Sequence, residues 1–183
     1  MRKLAMLALL FVANFIGMAF VFAGNDIKGM EDILSIPECK YCGMRRSSFA
    51  HSRMLLERDN IGRVGTCSLN CTAVDYMSDM DHLPSSIQVG DYRSKRIIDA
   101  EKAYWVIGGN KSGVMTERAK WAFEKKRDAD TFIRRHGGVP ATFEEAVRAS
   151  YVDMYKEMKL GDRQRILQHH SRLERDSAAT AHP

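Results

Sequence analysis

The chain lacks a strong net charge of either sign. A strong positive charge would most directly have indicated nucleic acid as a partner. Its 183 residues carry 28 basic and 23 acidic side chains, a net charge of +5. Two of the basic side chains, Arg2 and Lys3, lie in a terminal segment that we expect to be removed. The remaining excess is too mild to indicate nucleic-acid binding. With 45% apolar and 28% charged residues, the composition excludes a wholly disordered chain.

Motifs of catalysis are also missing. The sequence shows no Ser/His/Asp arrangement, no glycine-rich phosphate loop and no pair of carboxylates placed for general acid and base chemistry. We therefore expect no catalytic residues and predict that the chain is not an enzyme.

Apolar runs long enough to cross a membrane are absent after the N-terminus. Residues 4–22 follow two basic side chains and contain no charge, and small residues precede Gly24 at the positions that signal peptidase reads. This pattern predicts a signal peptide over residues 1–23 and export to the periplasm. An uncleaved segment is the alternative, and it would tether the protein to the membrane. No cysteine stands at the cleavage position, so we expect no lipoprotein anchor.

Cysteine is scarce, and all four cysteines lie in one stretch of the exported part. Two residues separate Cys39 from Cys42, and three separate Cys67 from Cys71. An even number in an exported chain suits two disulfides. Two close pairs also suit a tetrahedral thiolate site for a metal such as Zn(II). The spacing leaves both interpretations open, and a redox dithiol at the first pair is a third.

A thioether joins the first cysteine pair. Cys39, Cys42 and Met44 place three soft donors within six residues, and such donors select Cu(I) and also suit Zn(II). Met115, in a loop flanked by glycine and serine, is a further candidate ligand. Two histidines in or beside the cysteine-bearing half could add a nitrogen donor: His51 and His82.

Apolar periodicity and turn residues predict an α+β fold of two tandem ββαβ modules with a C-terminal helical extension. The first module is predicted to have a helix at 68–82 and strands at 47–58, 61–66 and 87–92. The second is predicted to have a helix at 128–136 and strands at 103–107, 120–123 and 139–141. Glycines 108 and 109 are expected to end the first strand of this second module.

A capping-box pattern opens the helical extension. Thr142 stands at the N-cap and Glu145 three residues later, which predicts a helix to about residue 158. Gly161 is expected to interrupt it before a second, polar helix to about residue 174. Four methionines at helical spacing are predicted to pack in the interior: Met77, Met80, Met154 and Met158.

Several separated motifs resemble the NosL family, accessory proteins of nitrous oxide reductase. They include Cys39-x-x-Cys42-Gly43-Met44, Asp91-Tyr92, residues 98–100, residues 103–108, Met115 and His136-Gly137-Gly138. The resemblance covers about residues 37–148, which we interpret as a NosL-like metal-binding domain. A lead-in at 24–36 precedes this domain, and a helical tail at 149–183 follows it.

The resemblance implies an exported Cu(I)-binding metallochaperone. Such a protein would deliver copper to a periplasmic copper enzyme, in the maturation of nitrous oxide reductase, and would work with a membrane transporter complex. It implies Cys42, Met44 and Met115 as the main ligands, with Cys39 a weaker candidate, and it agrees with two tandem ββαβ modules.

The sequence departs from the NosL pattern in three ways. It has no lipoprotein cysteine, its tail extends beyond the domain, and Cys67 and Cys71 resemble the second knuckle of small treble-clef metal-binding modules. The alternative function is therefore a structural zinc-binding or disulfide-stapled interaction module.

Overall fold

The computed structural model describes residues 29–59 and 61–180. The predicted signal peptide and the first residues of the lead-in lie outside this part of the chain. Among the described residues, no helix combines the length and the apolar character needed to cross a bilayer.

Two antiparallel sheets and their helices make an α+β fold. The first sheet has the strand order β2-β1-β3-β4. Its strands are β1 (Met54–Arg58), β2 (Gly62–Thr66), β3 (Ser86–Gly90) and β4 (Ile97–Asp99). Helix α1 (Glu31–Ser35) precedes this sheet, and helix α2 (Leu69–Ser78) connects β2 to β3.

The second sheet uses the same connection between its strands. Its order is β6-β5-β7, with strands β5 (Tyr104–Ser112), β6 (Arg118–Phe123) and β7 (Val139–Ala141). Helix α3 (Lys126–His136) connects β6 to β7, and helix α4 (Phe143–Thr180) follows. In both sheets a strand, a strand, a helix and a strand follow in sequence, and the first strand lies between the other two.

The predicted strand at 47–58 is wrong in its first half. Arg46–Phe49 form a 3-10 helix, and the strand begins only at Met54. The alternation of residue types there does not reflect two sheet faces, because Arg46 and Arg53 both point inward and are fully buried.

Two predicted breaks are absent from the described backbone. Strand β5 continues through Gly108 and Gly109, whose positive φ angles accompany a shift of register against β6. Helix α4 runs without interruption past Gly161, since one glycine costs a helix only about 1 kcal/mol.

The predicted helix 68–82 ends earlier, at Ser78. The capping box is confirmed, because Thr142 N donates to Glu145 Oε2 and Glu145 N donates to Thr142 Oγ1.

A buried ion cluster of one carboxylate and two guanidinium groups joins α1 to the first sheet. Asp32 accepts from Arg46 Nη2 at 2.7 Å and from Arg53 Nη2 at 2.9 Å. The same two Nη2 atoms also donate to backbone carbonyls, that of Arg46 to Met54 O and that of Arg53 to Gly29 O. Burial favours the neutral carboxyl, but the hydrogen bonds and charges of the two arginines outweigh it and lower the pKa of Asp32. Buried charges need such complete pairing.

We expect Asp32→Asn to destabilise the fold by roughly 3–5 kcal/mol, because two buried guanidinium groups lose their counter-charge. Urea unfolding at neutral pH measures this loss. A carboxyl with a lowered pKa contributes stability that is fully present above about pH 4, the usual pKa of an unfolded aspartate. The contribution disappears as the pH falls through the folded-state pKa, so the gap between wild type and variant should narrow below pH 4.

Asp130→Asn is the matched control for this substitution. Asp130 is exposed and pairs with Lys126 one turn away on α3. Such a surface pair contributes about 0–1 kcal/mol, so this variant should unfold close to wild type. Equal losses in the two variants would contradict a special role for the buried cluster.

Candidate metal centre

The first cysteine pair lies on a tight knuckle before β1. Gly43 N donates to Cys39 O at 3.0 Å, and Cys39 N donates to Met44 O at 2.9 Å, which closes the loop. Gly43 has a φ of +71°, a conformation that favours glycine. The backbone N–H groups of Tyr41 and Cys42 point at the Cys39 sulfur.

The second pair lies where β2 meets α2. Cys67 follows the last residue of β2, and Cys71 lies in the first turn of the helix. Both are buried. The positive end of the helix dipole favours negative charge on sulfur at this position.

A hydrogen bond network holds the knuckle against α2. Tyr41 Oη, between the first two cysteines, donates to Asp75 Oδ1 at 2.5 Å. Asp75 is one helical turn beyond Cys71, and it also pairs with Arg58 of β1 and with Lys40 Nζ. The backbone N–H of Lys40 donates to Gly65 O at 3.1 Å and ties the knuckle to β2.

The four cysteine sulfurs converge on one point. All four Sγ atoms lie within 4.8 Å of one another, with 3.5 Å between Cys42 and Cys67 and 3.7 Å between Cys67 and Cys71. Each cysteine is a free thiol. Four sulfurs at the usual Zn–S distance of about 2.3 Å lie roughly 3.8 Å apart in a tetrahedron. The donor set therefore fits a thiophilic metal ion, and its spacing does not distinguish Cu(I) from Zn(II).

Hydrogen bonds among the thiols divide their protons unequally. The neighbouring thiols of Cys67 and Cys71, together with two backbone N–H groups, hold the pKa of Cys39 far below the usual range of a thiol. The nearby Cys39 raises the pKa of Cys67 to about 12, and it raises the pKa of Cys71 as well. A metal ion that binds here displaces these shared protons.

Met44 and Met115 differ in their burial and in their contacts with the cysteine-bearing segments. Met44 is partly buried and packs against the same buried cluster as Cys39, Cys67 and Cys71. Met115 is 44% exposed in the turn between β5 and β6, with a φ of +58°. Its carbonyl accepts from Asn70 Nδ2 at 2.6 Å, so its backbone lies beside the residue before Cys71.

Neither predicted histidine lies among the cysteines. His51 packs against the rings of Tyr92 and Trp121, and burial lowers its pKa. His82 is exposed and hydrogen-bonds Asp79. The only group of three or more His, Cys, Asp or Glu side chains that converge in the described residues is the four cysteines.

Residues of the second sheet form one wall of the centre. Trp121 and Phe123 of β6 and Phe132 of α3 belong to the same buried cluster as the three buried cysteines. Sequence patterns predict neither this wall nor the role of Tyr41 and Asp75. Asp75 lies four residues after Cys71, a spacing that could have shown that both face the knuckle.

The chain is similar to known proteins in sequence and in structure. A NosL family model matches residues 32–152. Among solved structures, the chain is similar to the crystal structure of the copper chaperone NosL from Shewanella denitrificans. The identity is 23%, the match covers 61% of this chain and 90% of that chain, and the TM-score is 0.48. No curated protein matches the chain significantly.

The family match includes every predicted ligand residue, from Cys39 to Met115. It confirms the resemblance found in the sequence and the prediction that the chain is not an enzyme. Since the match extends over more than half of the sequence, this chain belongs to the NosL family.

Proposed function

We propose that this chain is an exported Cu(I)-binding metallochaperone that delivers copper to a periplasmic copper enzyme. The observation that carries the proposal is the convergence of four free cysteine sulfurs beside Met44 in a NosL-family domain. Soft thiolate and thioether sulfurs select Cu(I) over harder ions. The similar Shewanella protein is described as a copper chaperone.

The accessibility of the sulfurs suits transfer. Cys39, Cys67 and Cys71 are buried, whereas Cys42 is only partly buried. Cys42 and Met44 flank the exposed Gly43, so a partner's ligand would reach the metal from this side. A centre with three covered sulfurs and one accessible sulfur would pass Cu(I) by ligand exchange.

A structural zinc site is the second candidate function. Four cysteine sulfurs within 4.8 Å of one another are compatible with a closed tetrahedron of ligands, the usual arrangement of structural zinc. In that role the metal would hold the knuckle, the β1–β2 hairpin and α2 together, and Met44 would only pack.

The finer assignments are part of the same proposal. The uncharged run at residues 4–22 supports export to the periplasm, with a membrane tether if it is not cleaved. We infer nitrous oxide reductase as the client, and a membrane transporter complex as the second partner, from the family. The repeated strand order supports two tandem ββαβ modules, with the domain at about residues 37–148 and the tail from residue 149.

Competition between metals tests the proposal. Reduced protein is titrated with Cu(I) against a chromophoric chelator under anaerobic conditions, with Zn(II) in parallel. We expect tight Cu(I) binding at the cysteine centre that excess Zn(II) does not displace, because thiolate and thioether donors favour Cu(I). Stoichiometric Zn(II) binding with only loose uptake of Cu(I) would favour the structural zinc site.

Substitution of the methionines separates the two roles. We expect Met44→Leu to weaken Cu(I) binding by at least about tenfold, or about 1.4 kcal/mol, through loss of one soft donor. Met115→Leu tests the more exposed thioether in the same way. The urea midpoints should stay near wild type, since leucine conserves the volume of methionine.

Met80→Leu is the matched control, because this exposed methionine lies beyond the end of α2. Its Cu(I) affinity should equal that of wild type. Wild-type affinity in Met44→Leu and Met115→Leu, together with unfolding of Cys67→Ser, would contradict the ligand assignment and favour the structural site.

A further inference from the structure

We propose a second Cu(I) site, formed by the thioethers of Met77, Met154 and Met158 in the groove between α2 and α4. The inference rests on the proposed function, since it assumes that the protein carries Cu(I). It assigns a surface site that Cu(I) meets on its way to the cysteine centre, and that binds the ion less tightly than the cysteines do.

The groove is open and rich in sulfur. Its volume is about 700 Å³, and its lining residues are Val74, Met77, Met154, Glu157, Met158 and Gly161. Met77 is 52% exposed and Met158 is 62% exposed. The prediction that these two methionines pack in the interior is therefore wrong. Single exposed apolar side chains are ordinary at protein surfaces, but three methionines that line one groove are not explained by chance exposure.

The spacing of the three methionines suits one metal ion. Met154 and Met158 are one helical turn apart, which places their side chains on one face of α4, about 5–6 Å apart at Cβ. Met77 approaches from α2 on the opposite side of the groove. Methionine has three rotatable bonds before its methyl group, so the thioethers can adjust to a common centre.

Ion pairs next to the methionines fix both walls. Asp75, which lies two residues before Met77 on α2, pairs with Arg58. Asp153, which precedes Met154, pairs with Lys120 Nζ at 2.5 Å and with Arg118 Nη2 at 2.9 Å, both from β6. These pairs tie α2 to the first sheet and α4 to the second, so both walls of the groove are fixed by interactions outside it.

The chemistry of the thioether selects the ligand. Thioethers are soft donors that prefer Cu(I) to Zn(II), and they have no proton to release when the metal binds. They also form no disulfides, so such a site would be insensitive to thiol oxidation in an oxidising compartment. The Glu157 carboxylate at the groove supplies negative charge near the bound cation.

The groove and the cysteine centre share one loop. Glu157 Oε1 accepts from Thr116 Oγ1 and from Glu117 N, both at 3.2 Å. The neighbouring Met115 carbonyl accepts from Asn70 Nδ2, beside Cys71. The exposed Met115 side chain lies in the loop that touches both sites, a position suited to passing the ion inward.

Methionine methyl NMR tests the inference. The full chain, labelled with methyl-13C methionine and fully reduced, is titrated with Cu(I) under anaerobic conditions. We expect the cysteine centre to take the first equivalent, and the methyl signals of Met77, Met154 and Met158 to shift together with the second. In the triple variant Met77→Leu, Met154→Leu, Met158→Leu, the second equivalent should bind at least about tenfold more weakly.

Met80→Leu is the control, and it should retain both equivalents. Unshifted methyl signals in wild type, or an undiminished second equivalent in the triple variant, would overturn the groove site and leave the proposed function intact. If the cysteine centre of the wild type bound no Cu(I) but the three methyl signals still shifted, the result would count against the cysteine centre as a Cu(I) carrier. It would still support the groove site.

Discussion

The burial of Arg46 is the constraint on which the metal centre depends. Its guanidinium lies between α1 and the β1–β2 hairpin, where it bonds Asp32 and the carbonyls of Met54 and Thr66. Its own backbone N–H donates to Pro37 O, just before the knuckle. A buried cation thus helps to set the position of the first cysteine pair, in addition to its packing in the apolar cluster.

This arrangement also balances charge. Two buried arginines face one carboxylate, so the cluster has an excess of positive charge. Negative charge on the nearby Cys39 sulfur attracts Arg46. The buried guanidinium thereby favours the anionic form of the sulfur that the neighbouring thiols and backbone N–H groups also stabilise. Room for the guanidinium group requires Gly65, because a Cβ there would lie 2.8 Å from the guanidinium carbon of Arg46.

Sequence patterns predicted the parts that depend on local spacing. The paired cysteines left a metal centre and two disulfides open, the capping box placed the start of α4, and strand β7 was predicted with the bounds that the structure shows. What they did not predict depends on distant partners. Arg46 and Arg53 carry charges that are typical of the surface, yet Asp32 draws both inward. The bond from Tyr41 to Asp75 joins residues 34 positions apart and leaves no local pattern.

The four cysteines lie on the knuckle before β1 and at the junction of β2 with α2, whereas the aromatic wall comes from β6 and α3. The sulfurs join residues within positions 39–71, and the wall at residues 121–132 reaches them only across a longer stretch of chain. Contacts of short sequence separation tend to form first during folding. The four sulfurs can therefore gather while the wall is still open. Packing of the wall would then seal an ion bound at this stage from water, so that early loading would meet a lower kinetic barrier than loading of the finished fold.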